Sequence, residues 1–279
     1  MLAAMAILPF LDVCAKYLGG DGMPIMQIVW ARMICGAVFT LPFVAQSTGW
    51  SGLRPQMLHI HVARAVLLIA STAFFFLGLK YLPIADTLAL FFVQPILVTS
   101  FSPFLLGEHV GWRRWLAVIV GCVGVLIIVR PGFQAINPGT LFGLLAGLSM
   151  AVYLIITRRI TGKAPALVTT FQTNLIGALA LSIAMPFIWY SPSANQIGLM
   201  LLLGLVGIVG HYWIVRSYDY AEASLLAPLG YTEIIMAVFV GWYFFGDFPD
   251  QWTLTGVGIL IACAIYISWR ERQLGLTTK

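Results

Sequence analysis

A chain of 279 residues that is 61% hydrophobic and only 9% charged cannot cover the surface of a soluble globule, since soluble domains average about 25% charged residues. The composition therefore indicates an integral membrane protein, and the length leaves no room for a separate soluble domain. The net charge of +5 does not indicate nucleic-acid binding, because it is explained by basic residues that sit between the apolar segments.

In chain order, the sequence divides into ten apolar segments joined by short turns. Each is predicted to be a helix, because the strands of a membrane barrel alternate polar and apolar residues at every second position. The first five segments are Leu2–Leu18, Pro24–Ala45, His59–Tyr81, Pro83–Leu106 and Trp112–Val129. The second five are Gly139–Ile156, Ala166–Trp189, Ile197–Tyr218, Glu222–Phe245 and Trp252–Trp269. The predicted fold class is all-α, with ten transmembrane helices.

The second half of the chain repeats the first at a shift of 139 to 141 positions. The matched positions are Tyr220 with Tyr81, Glu233 with Gln94, Gly246–Asp247 with Gly107–Glu108 and, at the longer shift, Pro165 with Pro24. Matches in the same order over most of each half indicate an internal duplication. We predict one five-helix repeat over residues 1–136 and a second over residues 137–279, within one membrane domain.

The distribution of basic residues predicts the topology. With the N-terminus in the cytoplasm, eleven basic residues fall on the inside and three on the outside, a clear positive-inside bias. The inside residues are Arg54, Arg64, Arg113, Arg114, Arg158, Arg159, Lys163, Arg216, Arg270, Arg272 and Lys279; the outside residues are Lys16, Lys80 and Arg130. We expect a multi-pass protein of the cell inner membrane with both termini in the cytoplasm. Because five is odd, the second repeat must insert inverted, the arrangement on which alternating-access carriers are built.

Glu233 lies near the middle of the ninth segment, where a carboxylate costs roughly 2.5–3.5 kcal/mol on insertion scales. It shares a helical face with the small residues Gly230, Ala237 and Gly241, so it should face a protein interior or a water-filled cavity and not lipid. We favour a ligand or proton site over a packing role. Its repeat equivalent, Gln94, is either a second substrate contact or a hydrogen bond between helices.

Proline and glycine predict local backbone features. Pro95 and Pro228 each remove a backbone donor, so the fourth and ninth helices should bend beside Gln94 and Glu233. Small residues that permit close helix contacts, and no substrate contact, are predicted at Gly121, Gly124, Gly256 and Gly258.

Asp12, Arg32 and His211 are further ionisable groups within the predicted spans. Arg32 is expected to pair with Asp12 or Glu233, while a substrate carboxylate and a position at the outer interface remain open as its alternatives. Asp12, Arg32 and Glu233 are also the candidates for ion coupling. His211 is either a cavity ligand or a satisfied core residue, and a lone histidine in an apolar segment is more often the latter. No second His or Cys stands at ligand spacing, so no metal site is predicted.

Aromatic side chains at mid-depth are candidates for a substrate cavity, although packing competes as an explanation for each. The candidates are Trp30, Phe75, Phe91, Tyr153, Tyr212 and Tyr231, which join Glu233, Gln94 and His211 in the predicted site. A cavity with aromatic walls and few polar groups suits small amphipathic metabolites. The four cysteines stand singly in apolar runs, and no nucleotide-binding or hydrolase motif is present, so neither disulfides nor cofactors are expected.

The order and number of these features resemble a known family. The fourth and ninth segments each end in a glycine–acid pair, within LLGE at Leu105–Glu108 and FFGD at Phe244–Asp247. Over essentially its whole length the chain is similar to the drug/metabolite transporter superfamily, EamA type. The resemblance implies an inner-membrane carrier of small metabolites, commonly an exporter. We expect a small-molecule substrate, surrounding membrane lipid, no nucleic-acid partner, and a monomer or weak oligomer.

Within that family, the expected function is broad-specificity amino-acid export, including aromatic amino acids, by alternating access. The stretches Tyr231–Leu254 and Asp12–Gly19 also resemble S-adenosylmethionine uptake carriers. Uptake of S-adenosylmethionine or of a riboflavin-like vitamin is therefore the alternative.

Two other classes of function are disfavoured. An intramembrane enzyme would need paired acids, a histidine cluster or a nucleophile on facing helices, and Glu233 with His211 is the only candidate pair. A passive channel would need a continuous polar stripe, which the Phe- and Leu-rich segments do not show. We therefore expect a transporter and not an enzyme.

Overall fold

The computed structural model describes residues 1–49, 57–129 and 137–273, and these ranges contain helices and no strand. The helices of the first half are α1 (Leu2–Gly20), α2 (Ile25–Thr48), α3 (Leu58–Gly78), α4 (Ile84–Phe91), α5 (Val93–Leu106) and α6 (Trp112–Val129). Those of the second half are α7 (Pro138–Arg159), α8 (Ala166–Ser182), α9 (Met185–Ile188), α10 (Ala194–Ser217), α11 (Ala223–Leu226), a 3-10 segment (Ala227–Thr232), α12 (Glu233–Phe245) and α13 (Gln251–Gln273).

Several helices are apolar enough to cross a bilayer, so the predicted all-α membrane class is confirmed. Six described stretches are long enough to span it: Leu2–Gly20, Ile25–Thr48, Leu58–Gly78, Ile84–Leu106, Pro138–Arg159 and Ala194–Ser217. The shorter apolar helices are Val118–Ile128, Ala166–Ser182, Leu229–Phe245 and Gln251–Cys263. Because these fall below the usual spanning length of about 20 residues, the count of ten spans stays a prediction.

Three predicted helices are interrupted. The fourth segment breaks between α4 and α5 at Phe92, and the ninth contains the 3-10 segment between α11 and α12. Pro95 explains the first break, because it has no N–H to bond the carbonyl of Phe91. The second break falls at Pro228, which stands in the first turn of the 3-10 segment. The seventh segment ends early, at Ser182, and the short α9 follows it.

Helices of the first half pack mainly against helices of the second half. The most extensive contacts join α3 with α7, α2 with α8, α1 with α10 and α6 with α13, and those of α5 with α7 and α1 with α12 are also extensive. The predicted repeat pairs α1 with α7, α2 with α8, α3 with α10, α5 with α12 and α6 with α13. When each helix is replaced by its predicted counterpart, the same six contacts are obtained. The α3–α7 pair becomes α10–α1, the α5–α7 pair becomes α12–α1, and the α2–α8 and α6–α13 pairs map onto themselves. The larger buried core draws on both halves.

The α6 and α13 helices approach each other closely at glycine. A Cβ atom on Gly256 would lie 2.7 Å from the carbonyl oxygen of Gly124, and one on Gly124 would lie 3.2 Å from the carbonyl oxygen of Gly256. Gly121 faces the Tyr231 ring, where an added Cβ would meet the hydroxyl oxygen at 2.8 Å. The prediction for Gly258 is wrong, because a Cβ there would meet open space.

Candidate functional site

A cavity of about 80 Å³ lies between the two halves, where α1, α2, α3, α7 and α10 meet the breaks beside α5 and α12. Most of its wall is apolar. Seven buried polar side chains also line it: Asp12, Arg32, Ser71, Thr72, Gln94, His211 and Glu233. Such a combination of an apolar wall and a few convergent polar groups is typical of a small-molecule site.

The two helix breaks place Gln94 and Glu233 on the cavity wall. Gln94 is the second residue of α5 and Glu233 is the first residue of α12, so each follows an interruption at the start of a helix. The N–H groups at a helix start stabilise a negative charge by about 0.3–1 kcal/mol at exposed positions. Within the described part of the chain, Glu233 makes no hydrogen bond and no ion pair. Its carboxylate is therefore held beside the cavity without a donor from the described residues.

Arg32 is the positive group of the cavity. Its guanidinium donates a hydrogen bond to the Thr72 hydroxyl, which α3 brings beside α2. The charges of Asp12 and Glu233 both act on Arg32, but among the described residues neither carboxylate comes within 4.0 Å of it. Among the described residues the expected direct ion pair is therefore not formed, and the guanidinium bonds the Thr72 hydroxyl instead. Two carboxylates thus share the surroundings of one guanidinium.

His211 is held on α10 by aromatic packing. Its ring lies edge-on to Tyr153, with 6.1 Å between the ring centroids. The Nδ1 atom has no hydrogen-bond partner in the described ranges, although the residue is only 5% exposed. An unsatisfied buried polar group costs about 1–3 kcal/mol. His211 therefore has hydrogen-bonding capacity at the cavity that the described protein groups do not use.

The apolar wall combines aromatic rings with methionines. Phe75 and Phe91 pack edge to face, with 5.5 Å between their centroids, and both line the cavity as the sequence suggested. Met1, Met5 and Met150 also line it. Methionine side chains adapt to irregular shapes, so this wall can repack around a ligand.

Two predicted site residues lie behind the wall. The Tyr153 hydroxyl accepts a hydrogen bond of 3.1 Å from Arg64, so Tyr153 supports His211 from a second layer. Tyr231 packs edge-on against Phe92 at 5.3 Å, and its hydroxyl has no partner among the described residues. Neither side chain is part of the cavity lining.

The other two predicted aromatics also lie outside the lining. The Trp30 indole donates a hydrogen bond of 2.8 Å to Ser182 Oγ, and its ring packs edge-on against Trp189. Tyr212 is half-buried on α10, one residue beyond His211, and therefore points away from it. Helix rotation decides these positions, and the uniform hydrophobicity of the segments does not reveal it.

Sequence reasoning did not place Thr72 or Ser71 in the site. A signal was present for Thr72, because the 139-residue shift places it on His211. Ser71 lines the cavity while its hydroxyl donates a 2.9 Å hydrogen bond to the carbonyl of Ala146. It belongs to the contact between α3 and α7 as much as to the site.

The cavity is too small for a metabolite in this conformation. Pockets for drug-sized ligands occupy about 300–1,000 Å³. A larger space of about 550 Å³ lies next to it, lined by groups that include Lys16, Tyr17, Lys80 and Phe245. Phe76 lines both spaces. A substrate can therefore reach the polar groups only after a rearrangement.

The part of the chain that the structure describes offers no set of three or more His, Cys, Asp or Glu side chains for a metal ion. The residues that line the cavity offer hydrogen-bonding, charged and aromatic groups.

Comparison with known proteins gives two family matches and several relatives. The EamA-like transporter family matches residues 1–130 and, separately, residues 137–269. An S-adenosylmethionine uptake transporter of Rickettsia prowazekii (strain Madrid E) is 27% identical over 94% of this chain and 88% of its own length. A riboflavin transporter of Vibrio cholerae serotype O1 is 25% identical over 98% and 93% of the two chains. A pseudopaline exporter of Pseudomonas aeruginosa (strain UCBPP-PA14) is 25% identical over 86% and 85%.

A protein of known crystal structure has the same fold. It superposes with a TM-score of 0.76 at 19% sequence identity, over 98% of this chain and 97% of that one.

Proposed function

Because the chain belongs to the EamA-like transporter family, we propose that it takes up S-adenosylmethionine, or a metabolite of the same charge type, as a secondary carrier. Family membership confirms the resemblance found in the sequence and makes the chain a membrane transporter and not an enzyme. The substrate, the direction of transport and the site are the proposal.

The observation that carries the proposal is the charge balance of the cavity. Asp12 and Glu233 face one guanidinium, so the side chains that line the cavity, when fully ionised, leave one excess negative charge. S-adenosylmethionine carries a sulfonium, an ammonium and a carboxylate, which leaves one excess positive charge. The loaded cavity is then neutral, and a neutral set of groups costs less to bury in a low-dielectric bilayer than a net charge does.

The relatives support this class of substrate. Four proteins named as S-adenosylmethionine uptake transporters are 26–27% identical to the chain over 94% of its length. Broad amino-acid export, the function expected from the sequence, has no support among the relatives described above, one of which is an exporter of pseudopaline. Riboflavin is the second candidate, because the Phe75–Phe91 wall can stack against a flat ring. Riboflavin is neutral, however, and leaves the excess carboxylate unpaired.

Alternating access between inverted repeats is the proposed mechanism. It is supported by the two separate family matches and by the contact pattern that survives exchange of the halves. The proposed location is the inner membrane, with both termini in the cytoplasm. Of the basic residues behind this orientation, Arg54, Arg130 and Lys279 lie outside the described residues.

Uptake into proteoliposomes tests the substrate. Radiolabelled S-adenosylmethionine should accumulate saturably, and excess unlabelled S-adenosylmethionine should compete. S-adenosylhomocysteine, which has no sulfonium charge, should compete at least tenfold more weakly. Saturable uptake of riboflavin alone would replace this proposal with the second candidate, and saturable transport of amino acids alone would restore the exporter.

A further inference from the structure

Arg32 has donors to spare at the cavity. A guanidinium carries five N–H groups, and within the described ranges its hydrogen bond goes to Thr72. Arg32 is nevertheless only 7% exposed, and its exposed edge faces the cavity. A buried guanidinium with unused N–H donors can bind both oxygens of a planar carboxylate.

His211 stands next to this guanidinium. The Arg32 side chain crosses α10 at Gly207, where an added Cβ would lie 3.3 Å from Arg32 Nε. His211 follows Gly207 by four residues and so occupies the same face of α10, one turn along. Its Nδ1 atom is the buried polar atom without a partner described above, so two groups with unfilled hydrogen-bonding capacity line the same cavity.

We propose that Arg32 and His211 bind the carboxylate of the substrate's amino-acid moiety, while Asp12 and Glu233 bind its cationic groups. An amino acid presents its carboxylate and ammonium on one carbon, and the charges of both acids already act on Arg32. One amino-acid moiety can therefore pair its carboxylate with Arg32 and its ammonium with an acidic side chain. This assignment rests on the proposed function, because it presumes a substrate with an amino-acid moiety.

Paired probes with and without a carboxylate test the subsite. S-adenosylmethionine and its decarboxylated amine keep the same sulfonium and ammonium, and binding is measured by thermal shift of purified protein. The wild type should bind the acid at least tenfold more tightly than the amine. In Arg32→Gln the affinities for the acid and the amine should differ by less than twofold, because the affinity for the acid falls and the affinity for the amine does not change. Arg216→Gln, at an exposed arginine outside the cavity, is the matched control and should keep it.

The outcomes separate the subsite from the substrate. An equal loss for both probes in Arg32→Gln means a structural role and overturns the subsite, and His211→Gln provides a second variant if Arg32→Gln does not fold. If the wild type binds neither S-adenosyl probe, the proposed function fails. The pair L-methionine and 3-(methylthio)propylamine then decides: an Arg32-dependent preference for the acid upholds the subsite, and no preference overturns it.

A second inference concerns the two ends of the cavity, beginning with the face near Met1. Glu108 follows Gly107, whose φ of +69° ends α5. It accepts hydrogen bonds from Arg158 Nε of α7 at 3.1 Å and from the Ala223 N–H at 2.9 Å. Arg158 also donates to the carbonyl of Tyr218 at 2.5 Å. These bonds join α5, α7 and the segment between α10 and α11.

The opposite face carries the equivalent acid. Asp247 follows Gly246, whose φ of +71° ends α12. Its carboxylate forms an ion pair with Lys16 of α1, in which Lys16 Nζ donates a hydrogen bond of 2.8 Å to Asp247 Oδ2. Lys16 also lies over the Phe245 ring, 4.4 Å from its centroid. Lys16 is about 22 Å along α1 from Met1 at 1.5 Å per residue. Met1 Sδ accepts a 3.7 Å hydrogen bond from the hydroxyl of Ser217, which precedes the Tyr218 bonded by Arg158, so the two ion pairs lie on opposite faces.

We infer that Glu108–Arg158 and Asp247–Lys16 are latches that close the two faces of the carrier. The 139-residue shift places Glu108 on Asp247, and the basic partners lie near the ends of the counterpart helices α7 and α1. Both ion pairs are formed here, and the cavity between them is small. Glu108 is the more buried acid and has more bonds, so the Met1 face is the more tightly closed.

Thiol accessibility tests the latches. Met150→Cys, at the cavity wall, is the reporter in a variant without the four native cysteines. A membrane-impermeant thiol reagent is applied to vesicles of each orientation. Asp247→Asn should raise the labelling rate severalfold from the Lys16 face and lower it from the Met1 face, and Glu108→Gln should do the reverse. Asp219→Asn, which removes the Arg216–Asp219 pair within one segment, is the control and should change neither rate.

Side-dependence distinguishes a latch from a structural ion pair. The inference is overturned if the labelling rate of a variant rises equally from both faces, or if it does not change from either face. The double exchange Lys16→Asp with Asp247→Lys keeps the pair and should restore the wild-type rates. If Glu108→Gln fails to fold, the result at the Lys16 face and this exchange decide the question.

Discussion

At the scale of single residues, the cavity is defined by polar groups whose hydrogen-bonding capacity is incompletely used. Arg32 has one protein acceptor, His211 Nδ1 has no partner in the described ranges, and Glu233 makes no ion pair there. Buried polar groups in proteins are normally satisfied, and satisfying them is what a specific ligand does best. The arrangement fits a site that gains most of its affinity from charged contacts.

Replacing Glu233 by Gln should weaken binding of a cationic substrate at every pH. The substitution keeps shape and hydrogen bonding but removes the charge, and a hydrogen bond to a charged group contributes about 1.5–3 kcal/mol, roughly ten- to a hundredfold in affinity. Uptake kinetics in proteoliposomes measure the loss, with Asp219→Asn as an exposed carboxylate control. If exchange persists while proton-driven accumulation is lost, Glu233 carries a proton instead. Normal transport in both assays would make Glu233 structural.

Tyr231→Phe should leave transport within twofold of the wild type and leave the thermal midpoint unchanged or slightly raised. The hydroxyl is buried without a partner in the described part of the chain and lies away from the cavity, so its removal deletes an unsatisfied polar group. Uptake assays and thermal unfolding of the purified variant are the measurements. A tenfold loss of transport with normal stability would return Tyr231 to the site.

At the scale of elements, helix breaks and glycine contacts position the site. The breaks in the fourth and ninth predicted segments turn Gln94 and Glu233 into residues at the starts of helices. The glycine contact of α6 with α13 lies outside the cavity and supports the fold. The place of a residue along its helix and within the bundle therefore decides whether it lines the cavity or supports the fold.

Gly124→Leu should lower the yield and thermal stability of folded protein. An added side chain must displace α13 at Gly256, and overpacking of a tight contact costs about 1–3 kcal/mol. Gly258→Leu is the matched control, because its side chain would enter open space and should be tolerated. Size-exclusion chromatography after graded heating compares the variants. Normal yield of Gly124→Leu with selective loss of transport would place this contact in the transport cycle.

At the scale of the whole molecule, the pattern of helix contacts is preserved when the two halves are exchanged. Pseudo-symmetry gives a carrier two equivalent ways of opening, one towards each side, around the same central site. We propose that the central cavity and the two ion pairs take part in this cycle.

Cysteine labelling tests the orientation of the whole molecule. A cysteine at Ser191, in the exposed connection before α10, should react with an impermeant reagent from outside the cell. A cysteine at Lys163, between α7 and α8, should be protected until the membrane is permeabilised. Lys163 is preferable to its neighbour Gly162, whose φ of +79° disfavours a side chain. The reverse labelling pattern would invert the topology.

Composition and pattern along the chain were sufficient for the membrane class and the family, and they singled out the polar residues that line the cavity, while the duplication stays a prediction. A charged or amide side chain in an apolar segment stands out wherever the segment packs, so Glu233, Gln94, Asp12, Arg32 and His211 were identifiable. Their common position on the cavity wall is a property of the folded chain.

The tertiary structure alone decided the partner of each group. The direction in which an aromatic side chain points depends on helix rotation, and segments apolar on every side carry no signal of it. Tyr153, Tyr231, Trp30 and Tyr212 therefore could not be sorted from Phe75 and Phe91. Arg32 bonds Thr72 because α3 lies beside α2, and no spacing within one segment encodes a contact between two helices.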